Sequence, residues 1–248
     1  MPSAGCGRMT GKPTSASVAN AIVTFPDAYD GNTPMPLVFG FHGAGRTNDQ
    51  FRTVDARTMG TDLEKRFVMV YLKAAGSGWV VNTDTARVNT AFDTMKSMYC
   101  IDQNRVFATG HSSGAQMITQ MLCANDRRFR AVAPVASSAY CTKWNNPLPV
   151  LLIHGKTDSE RASTSQDADG RKDLAPYVSS SMCGATTTPY DVAGCTSGST
   201  QVAPGCVSYS GCQAPLIWCQ HNDPNYSNTN HGWPCFANKA MFDFFLTF

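Results

Sequence analysis

The pentapeptide Gly110–Gly114, with the sequence GHSSG, constrains the fold more than any other part of this sequence. It follows a predicted strand, Val106–Thr109, and precedes a largely apolar helical segment, Ala115–Cys123. A serine between two glycines at such a junction is typical of a sharp strand-to-helix turn that raises the hydroxyl above a sheet. The pentapeptide alone is weak support because Gly and Ser are common here, but its position between strand and helix indicates that Ser112 is a nucleophile rather than part of a Gly-rich turn.

Apolar runs of strand length alternate with segments of helical spacing through much of the chain. Strands are predicted at Ala21–Phe25, Pro36–Phe41, Phe67–Leu72, Ala131–Val135, Pro149–Ile153 and Leu216–Cys219, and helices at Asn89–Tyr99, Lys172–Ser180 and Phe236–Leu246. This alternation predicts an α/β protein with a mainly parallel central sheet and helices on both faces. We expect one domain over residues 1–248, with an irregular, disulfide-rich excursion at about 183–213.

Ten cysteines are the strongest compositional feature. None lies in a C-x-x-C pair or at zinc-finger spacing, so disulfides in an oxidising compartment are favoured over a metal site. We expect a secreted protein in its mature form, since no charged start followed by an apolar stretch opens the chain. Cys100 and Cys123 should both lie at the bottom of the sheet and are a candidate pair, and a bridge at Cys235 would anchor the loop before it.

Charge and hydropathy exclude two classes of partner. The net charge is +2 and no Lys/Arg cluster is present, so nothing indicates nucleic acid. The apolar runs fall far short of the ~20 residues that span a bilayer, so we expect no membrane association. A monomer is the expectation.

The base and the acid follow from chain order, since the α/β-hydrolase fold places its triad in the order Ser, Asp/Glu, His. Asp158, just beyond the strand Pro149–Ile153, is the predicted acid, and His231, in a loop before Pro234, is the predicted base. His221 is the alternative base, although it follows its strand very closely. The nearby acidic residues are interpreted as a solvated polar loop: Glu160, Asp167, Asp169 and Asp173.

A serine nucleophile that attacks an acyl group needs backbone donors for the oxyanion of the tetrahedral intermediate. One donor is expected to be the N–H of Ser113, and the second that of Ala44 in the Gly-rich loop after Pro36–Phe41. His42 in that loop is interpreted as structural rather than catalytic. Trp79 and Trp233 are candidates to line an apolar acyl pocket, with ordinary packing as the alternative for each.

These residues carry a family resemblance over nearly the whole chain. It rests on Ser3–Gly7, the His42-Gly43 loop, Val106–Gly110, His154-Gly155 with Asp158, and the terminal His231–Pro234. The chain resembles the group of feruloyl esterases, acetylxylan esterases and polyhydroxybutyrate depolymerases. The resemblance implies ester hydrolysis by Ser112, Asp158 and His231 without a metal or organic cofactor. Its implied substrate is a feruloylated or acetylated polysaccharide; the alternatives are a polyester and, less favoured because all three triad residues are present, a non-catalytic binding role.

Overall fold

The structure is a computed structural model that describes residues 1–16, 18–55, 63–137, 140–158, 160, 170–224 and 230–248. Its strands are β1 (Ala21–Thr24), β2 (Met35–Phe41), β3 (Val68–Leu72), β4 (Ile101–His111), β5 (Ala131–Val135), β6 (Val150–Gly155), β7 (Thr187–Pro189), β8 (Cys195–Ser197), β9 (Thr200–Val202), β10 (Gly205–Tyr209) and β11 (Leu216–His221). The longer helices are α1 (Val81–Met98), α2 (Ser113–Cys123), α3 (Arg171–Ser181) and α4 (Ala237–Phe245).

Among the described residues, nine strands form one sheet in the order β1-β3-β2-β4-β5-β6-β11-β10-β7. The six strands from β3 to β11 in that order are parallel, and antiparallel strands close both ends. The continuous apolar runs of β3 and β5 are buried along their whole length, as expected for strands covered on two sides. The predicted mainly parallel sheet is therefore confirmed.

Helices cover both faces of the sheet. One core cluster contains Val88 of α1, Met117 of α2 and Tyr177 of α3, so these three helices share a face. A second cluster contains Met241 and Phe244 of α4, which therefore packs on the opposite face. The predicted α/β-hydrolase architecture agrees with this two-sided packing. None of the helices in the described part of the chain combines the length and apolar character needed to cross a membrane.

Helix α1 begins well before the predicted Asn89 because a buried carboxylate holds its first turn. Asp84 is fully buried, and its side chain accepts hydrogen bonds from the backbone N–H groups of Ala75 (2.9 Å) and Val80 (2.8 Å). Such a bond satisfies a donor that the first turn would otherwise leave without a partner. The polar residues at the start of α1 carry no apolar stripe, so periodicity could not reveal this turn.

The excursion at 183–213 is not irregular, which corrects the prediction from composition. It contains β7, β8, β9 and β10, and two of these extend the main sheet: β10 pairs antiparallel with β11, and β7 with β10. β8 and β9 pair separately as a hairpin. These short, Thr-rich strands have too few apolar residues for an alternation of apolar and polar side chains to be recognised. They form because β11 presents a sheet edge to which their backbone can add hydrogen bonds.

Five disulfides join all ten cysteines. The predicted Cys100–Cys123 bridge is wrong. The N-terminal segment runs beneath β4, where the Ser3 N–H donates to the Ile101 carbonyl at 3.0 Å, and brings Cys6 to Cys100 with a Cα separation of 4.0 Å. The full pairing is Cys6–Cys100, Cys123–Cys141, Cys183–Cys212, Cys195–Cys235 and Cys206–Cys219.

Candidate active site

Ser112 occupies a strained turn between β4 and α2. Its φ of 52° and ψ of −117° lie in a region that non-glycine residues rarely adopt, at a typical cost of about 1–3 kcal/mol. The turn is held by its N–H, which donates to the Val135 carbonyl at 3.0 Å. A strained residue at the end of a buried strand is a candidate for function, and Ser112 remains partly accessible.

The two glycines of the pentapeptide are required by close packing of backbone, as predicted. A Cβ at Gly114 would lie 2.2 Å from the carbonyl oxygen of Phe41 in β2. A Cβ at Gly110 would lie 2.9 Å from the same oxygen and from the carbonyl carbon of Gly114. The turn can therefore cross over β2 only because neither position carries a side chain.

Ser112, His231 and Asp158 form one hydrogen-bonded line. The Nε2 of His231 lies 2.9 Å from Ser112 Oγ, and its Nδ1 lies 2.7 Å from Asp158 Oδ2. A carboxylate accepts, so Nδ1–H donates to Asp158 and leaves the Nε2 lone pair facing the serine hydroxyl. Asp158 is fully buried and His231 is 5% exposed, so water competes little for these bonds. The three residues selected from the sequence are thus brought together by the fold.

The loops that carry the acid and the base are fastened to each other. Thr157 Oγ1 donates to the side-chain oxygen of Asn230 at 2.8 Å. Thr157 directly precedes Asp158 in the chain, and Asn230 directly precedes His231. A Cβ at Gly155 would lie 2.1 Å from the Asn230 carbonyl oxygen, so the glycine permits the base loop to cross the end of β6. Asn230 also donates to the Asp223 carbonyl at 3.0 Å. These contacts set the position of the imidazole relative to the carboxylate.

His111 is a supporting residue that the sequence analysis missed. Its Nε2 lies 2.6 Å from the carbonyl oxygen of His231, to which it must donate. Burial, followed by the neighbouring His231, lowers the pKa of His111 to about 3, so the ring stays neutral and the bond persists across the neutral range. In the sequence, His111 is marked only by its place directly before Ser112 in the pentapeptide.

His42 is structural, in agreement with the interpretation from sequence. It is 1% exposed, its Nδ1 lies 2.8 Å from the Gly43 carbonyl oxygen, and its Nε2 accepts the backbone N–H of Ala74 at 3.1 Å. Burial lowers its pKa, which favours this neutral form. His42 therefore fixes the loop that contains Ala44.

The residues proposed as oxyanion donors, Ala44 and Ser113, both lie next to the loop at residues 75–80. Gly78 contacts this region closely: a Cβ there would meet Ser113 Oγ at 3.4 Å and the Ala44 Cβ at 3.7 Å. Trp79 N–H approaches Ser113 Oγ at 3.4 Å. The fold thus gathers Ala44 and Ser113 around one loop; their role as donors stays a prediction.

Both candidate pocket tryptophans are buried in packing interactions. Trp79 is 8% exposed, its indole N–H donates to the His42 carbonyl at 2.8 Å, and its ring packs against Phe41. Trp233 is 6% exposed and donates to Asn238 at 2.9 Å. Neither presents a free face for stacking, so the geometry favours the packing alternative, while a part in substrate binding stays a prediction.

The alternative base, His221, is held by contacts that do not involve Ser112. Its Nδ1 accepts the backbone N–H of Asp223 at 3.2 Å and its ring packs against Phe236. Asp173 also differs from the expectation of a solvated loop, since it is 1% exposed and its Oδ2 lies 3.6 Å from His154. Asp173 lies in the first turn of α3, and the packing of that helix buries it. Asp167 and Asp169 lie outside the described residues.

Comparisons with known proteins agree with this geometry. The model of the prolyl oligopeptidase family matches residues 82–147. The probable feruloyl esterase C of Aspergillus niger is 32% identical over 63% of this chain, which spans 62% of that protein's length. The feruloyl esterase C of Emericella nidulans is 28% identical over 98% of this chain and 91% of its own.

A solved structure supports the fold across most of the chain. The acetyl xylan esterase from Aspergillus awamori superposes with a TM-score of 0.58 at 15% identity and covers 90% of this chain and 93% of its own. At that identity the likeness bears on the fold alone. Together with the sequence relatives and the elbow geometry, it confirms the predicted resemblance: the chain has the α/β-hydrolase fold and is related in sequence to the fungal feruloyl esterases.

Proposed function

We propose that this chain is a secreted serine esterase that hydrolyses feruloyl or acetyl esters of plant cell-wall polysaccharide through an acyl-enzyme. The observation that carries the proposal is the hydrogen-bonded line from Ser112 through His231 to Asp158. The names of the fungal relatives support the choice of ester. The five disulfides support an oxidising, extracellular setting.

The geometry suits a two-step acyl transfer. In the first step Ser112 Oγ attacks the ester carbonyl while His231 Nε2 takes its proton, and the same imidazole then gives that proton to the leaving alcohol. In the second step His231 removes a proton from water, which attacks the acyl-enzyme. The bond between the acyl carbon and Ser112 Oγ then breaks, Oγ takes the proton back from His231, and the acid is released. The Asp158 carboxylate holds the Nδ1–H tautomer and stabilises the imidazolium that forms in each step.

Negative charge develops on the carbonyl oxygen in both steps and needs fixed donors. Ser112 precedes the first turn of α2, so the Ser113 N–H lies at the positive end of that helix, which also favours an anion. The Ala44 N–H is the second proposed donor. Because the bond between His42 and Ala74 holds the loop of Ala44, this donor is preorganised rather than recruited by substrate.

A comparison of three substrates tests the proposal. Hydrolysis rates are measured on methyl ferulate, acetylated xylan and a polyhydroxybutyrate suspension, with Ser112→Ala as the matched control. We expect the wild type to prefer one of the first two and Ser112→Ala to lose turnover on all of them while melting at a similar temperature. A preference for the polyester would replace the substrate assignment, and turnover that persists in Ser112→Ala would reject the nucleophile.

A further inference from the structure

The segment that follows β5 is fastened to α2 at two points. The hydroxyl oxygens of Thr119 and Ser137 lie 2.9 Å apart, and both residues are fully buried. Thr119 Oγ1 donates to the Ala115 carbonyl oxygen, so in this pair the Ser137 hydroxyl is the donor. Farther along, a disulfide joins Cys123, the last residue of α2, to Cys141. The backbone after β5 is therefore held against the helix that begins beside the nucleophile.

Tyr140 belongs to this fastened segment and is 57% exposed. Among the described residues it is the most exposed aromatic side chain. Its hydroxyl donates to Gln116 Oε1 at 3.1 Å, which makes a third connection to α2. The Gln116 N–H donates to the Ser112 carbonyl at 2.9 Å, so Gln116 lies one helical turn, about 5.4 Å along the axis, beyond the nucleophile. The structure thus holds an exposed phenol ring close to the first turn of α2.

The strand order places Tyr140 on the same side of the nucleophile as the base. Strand β4, which leads to Ser112, pairs with β2 on one side and with β5 on the other, both in parallel. Ala44 follows β2, whereas Asp158 follows β6 and His231 follows β11, both of which lie beyond β5. Segments that follow parallel strands meet at one edge of the sheet. Tyr140 follows β5, so it lies at this edge on the side of the acid and the base.

The chemistry of ester cleavage assigns the two halves of the substrate to these two sides. The carbonyl oxygen faces the proposed donors at Ala44 and Ser113. The oxygen of the leaving alcohol must lie beside His231 Nε2, from which it receives its proton. The alcohol half therefore extends from Ser112 toward the side of β5, β6 and β11. In an ester of a cell-wall polysaccharide, that half is a sugar.

We propose that Tyr140 is a substrate-binding residue that stacks on a sugar of the alcohol half. The inference rests on the proposed function, because it takes a polysaccharide ester as the substrate. One face of a sugar ring presents C–H groups of partial positive charge, which match the negative face of a phenol ring. The bond to Gln116 and the disulfide at Cys141 hold the ring in place before substrate arrives, so stacking costs little conformational freedom.

Two pairs of esters that share an acyl group and differ in the alcohol test the proposal. Methyl ferulate is compared with a feruloylated arabinoxylan oligosaccharide, and methyl acetate with an acetylated xylo-oligosaccharide. On the sugar esters, Tyr140→Ala should lower kcat/KM about five- to tenfold, through KM rather than kcat. On the methyl esters it should stay within about twofold of the wild type, since no sugar is present to stack. Tyr140→Phe keeps the ring and should stay within about twofold on all four esters.

Val80→Ala is the matched control. Val80 is 55% exposed and directly follows Trp79 in the loop next to Ala44, on the other side of Ser112. Its truncation removes a similarly exposed apolar side chain and should leave the ratio between sugar and methyl esters unchanged. A loss on sugar esters equal to that of Tyr140→Ala would reject the assignment to Tyr140. Thermal unfolding verifies that each variant is folded.

Three results overturn the proposal. The first is a Tyr140→Ala variant with unchanged KM on the sugar esters. The second is an equal loss on methyl and sugar esters, which would place the ring against the acyl half. The third is an unchanged Kd when the sugar ester that the wild type hydrolyses is titrated calorimetrically into Ser112→Ala with and without Tyr140→Ala, where about five- to tenfold weakening is expected. A wild type that hydrolyses neither sugar ester would instead reject the proposed function, and with it a sugar site at Tyr140.

Discussion

Replacement of Asp158 by asparagine gives the most direct measure of the acid's contribution. The side chain keeps its size and can still accept from His231 Nδ1–H, but it loses its charge. When His231 takes the proton of Ser112, the new positive ring lies about 4 Å from the charge centre of the carboxylate, since Nδ1 and Oδ2 are 2.7 Å apart. At an effective dielectric constant of about 20, that attraction is about 4 kcal/mol. Its loss corresponds to a fall of about 10³-fold in kcat/KM.

The assay measures kcat/KM on methyl ferulate near pH 7.5, with thermal unfolding to verify that each variant is folded. Asp173→Asn is the matched control because Asp173 is as deeply buried, 1% against 0% exposed, yet its Oδ2 faces His154 rather than the base. We expect the control to lose less than about tenfold, since its charge lies farther from His231. The reasoning is refuted if folded Asp158→Asn stays within tenfold of the wild type, or if Asp173→Asn is equally damaging.

Three further outcomes are expected. Gly114→Ala places a Cβ 2.2 Å from the backbone oxygen of Phe41, so the elbow and β2 must separate and the melting temperature should fall by about 5–10 °C. The double variant Cys195→Ser/Cys235→Ser removes the disulfide that ties the loop of His231 to the β8–β9 hairpin, and kcat should fall about ten- to a hundredfold. The pKa of His221 is about 4 when folded and about 6.5 when unfolded, so the free energy of unfolding should drop by about 2–3 kcal/mol through this residue between pH 7 and 4.5, as urea titrations of His221→Asn and wild type would show.

Each of these expectations has a control in the same chain. Gly76→Ala should leave the melting temperature nearly unchanged, because the nearest atom to its Cβ is 3.9 Å away, and an equal loss in both alanine variants would count against the packing argument. Cys183→Ser/Cys212→Ser removes a bridge that does not reach the base loop, so full activity is expected there; comparable losses would mean that the bridges act only through stability. For His221, an unchanged pH slope in the asparagine variant would contradict its depressed pKa.

The elements that sequence predicted well are those with local signals. β5 was predicted with its observed bounds because all five residues are apolar and buried on two sides. Helix α2 was predicted within two residues because a strand and a glycine fix where it starts. The start of α1 escaped prediction because it depends on a buried Asp84, and β7 and β10 escaped it because their stability comes from the edge of β11. A partner distant in sequence leaves no periodic pattern.

By itself, the sequence determined the α/β class, the strained turn at Ser112 and the chain order of the three candidate residues, because glycines at a strand–helix junction and apolar runs are local constraints. Only the tertiary structure decided that Cys100 pairs with Cys6, that His111 holds the backbone of His231, and that His154 lies close to two buried carboxylates. Those facts depend on which segments the sheet brings within a few ångströms of each other. The physical reason is that hydrogen bonds, charge pairs and disulfides act over distances in space, and distance along the chain does not report them.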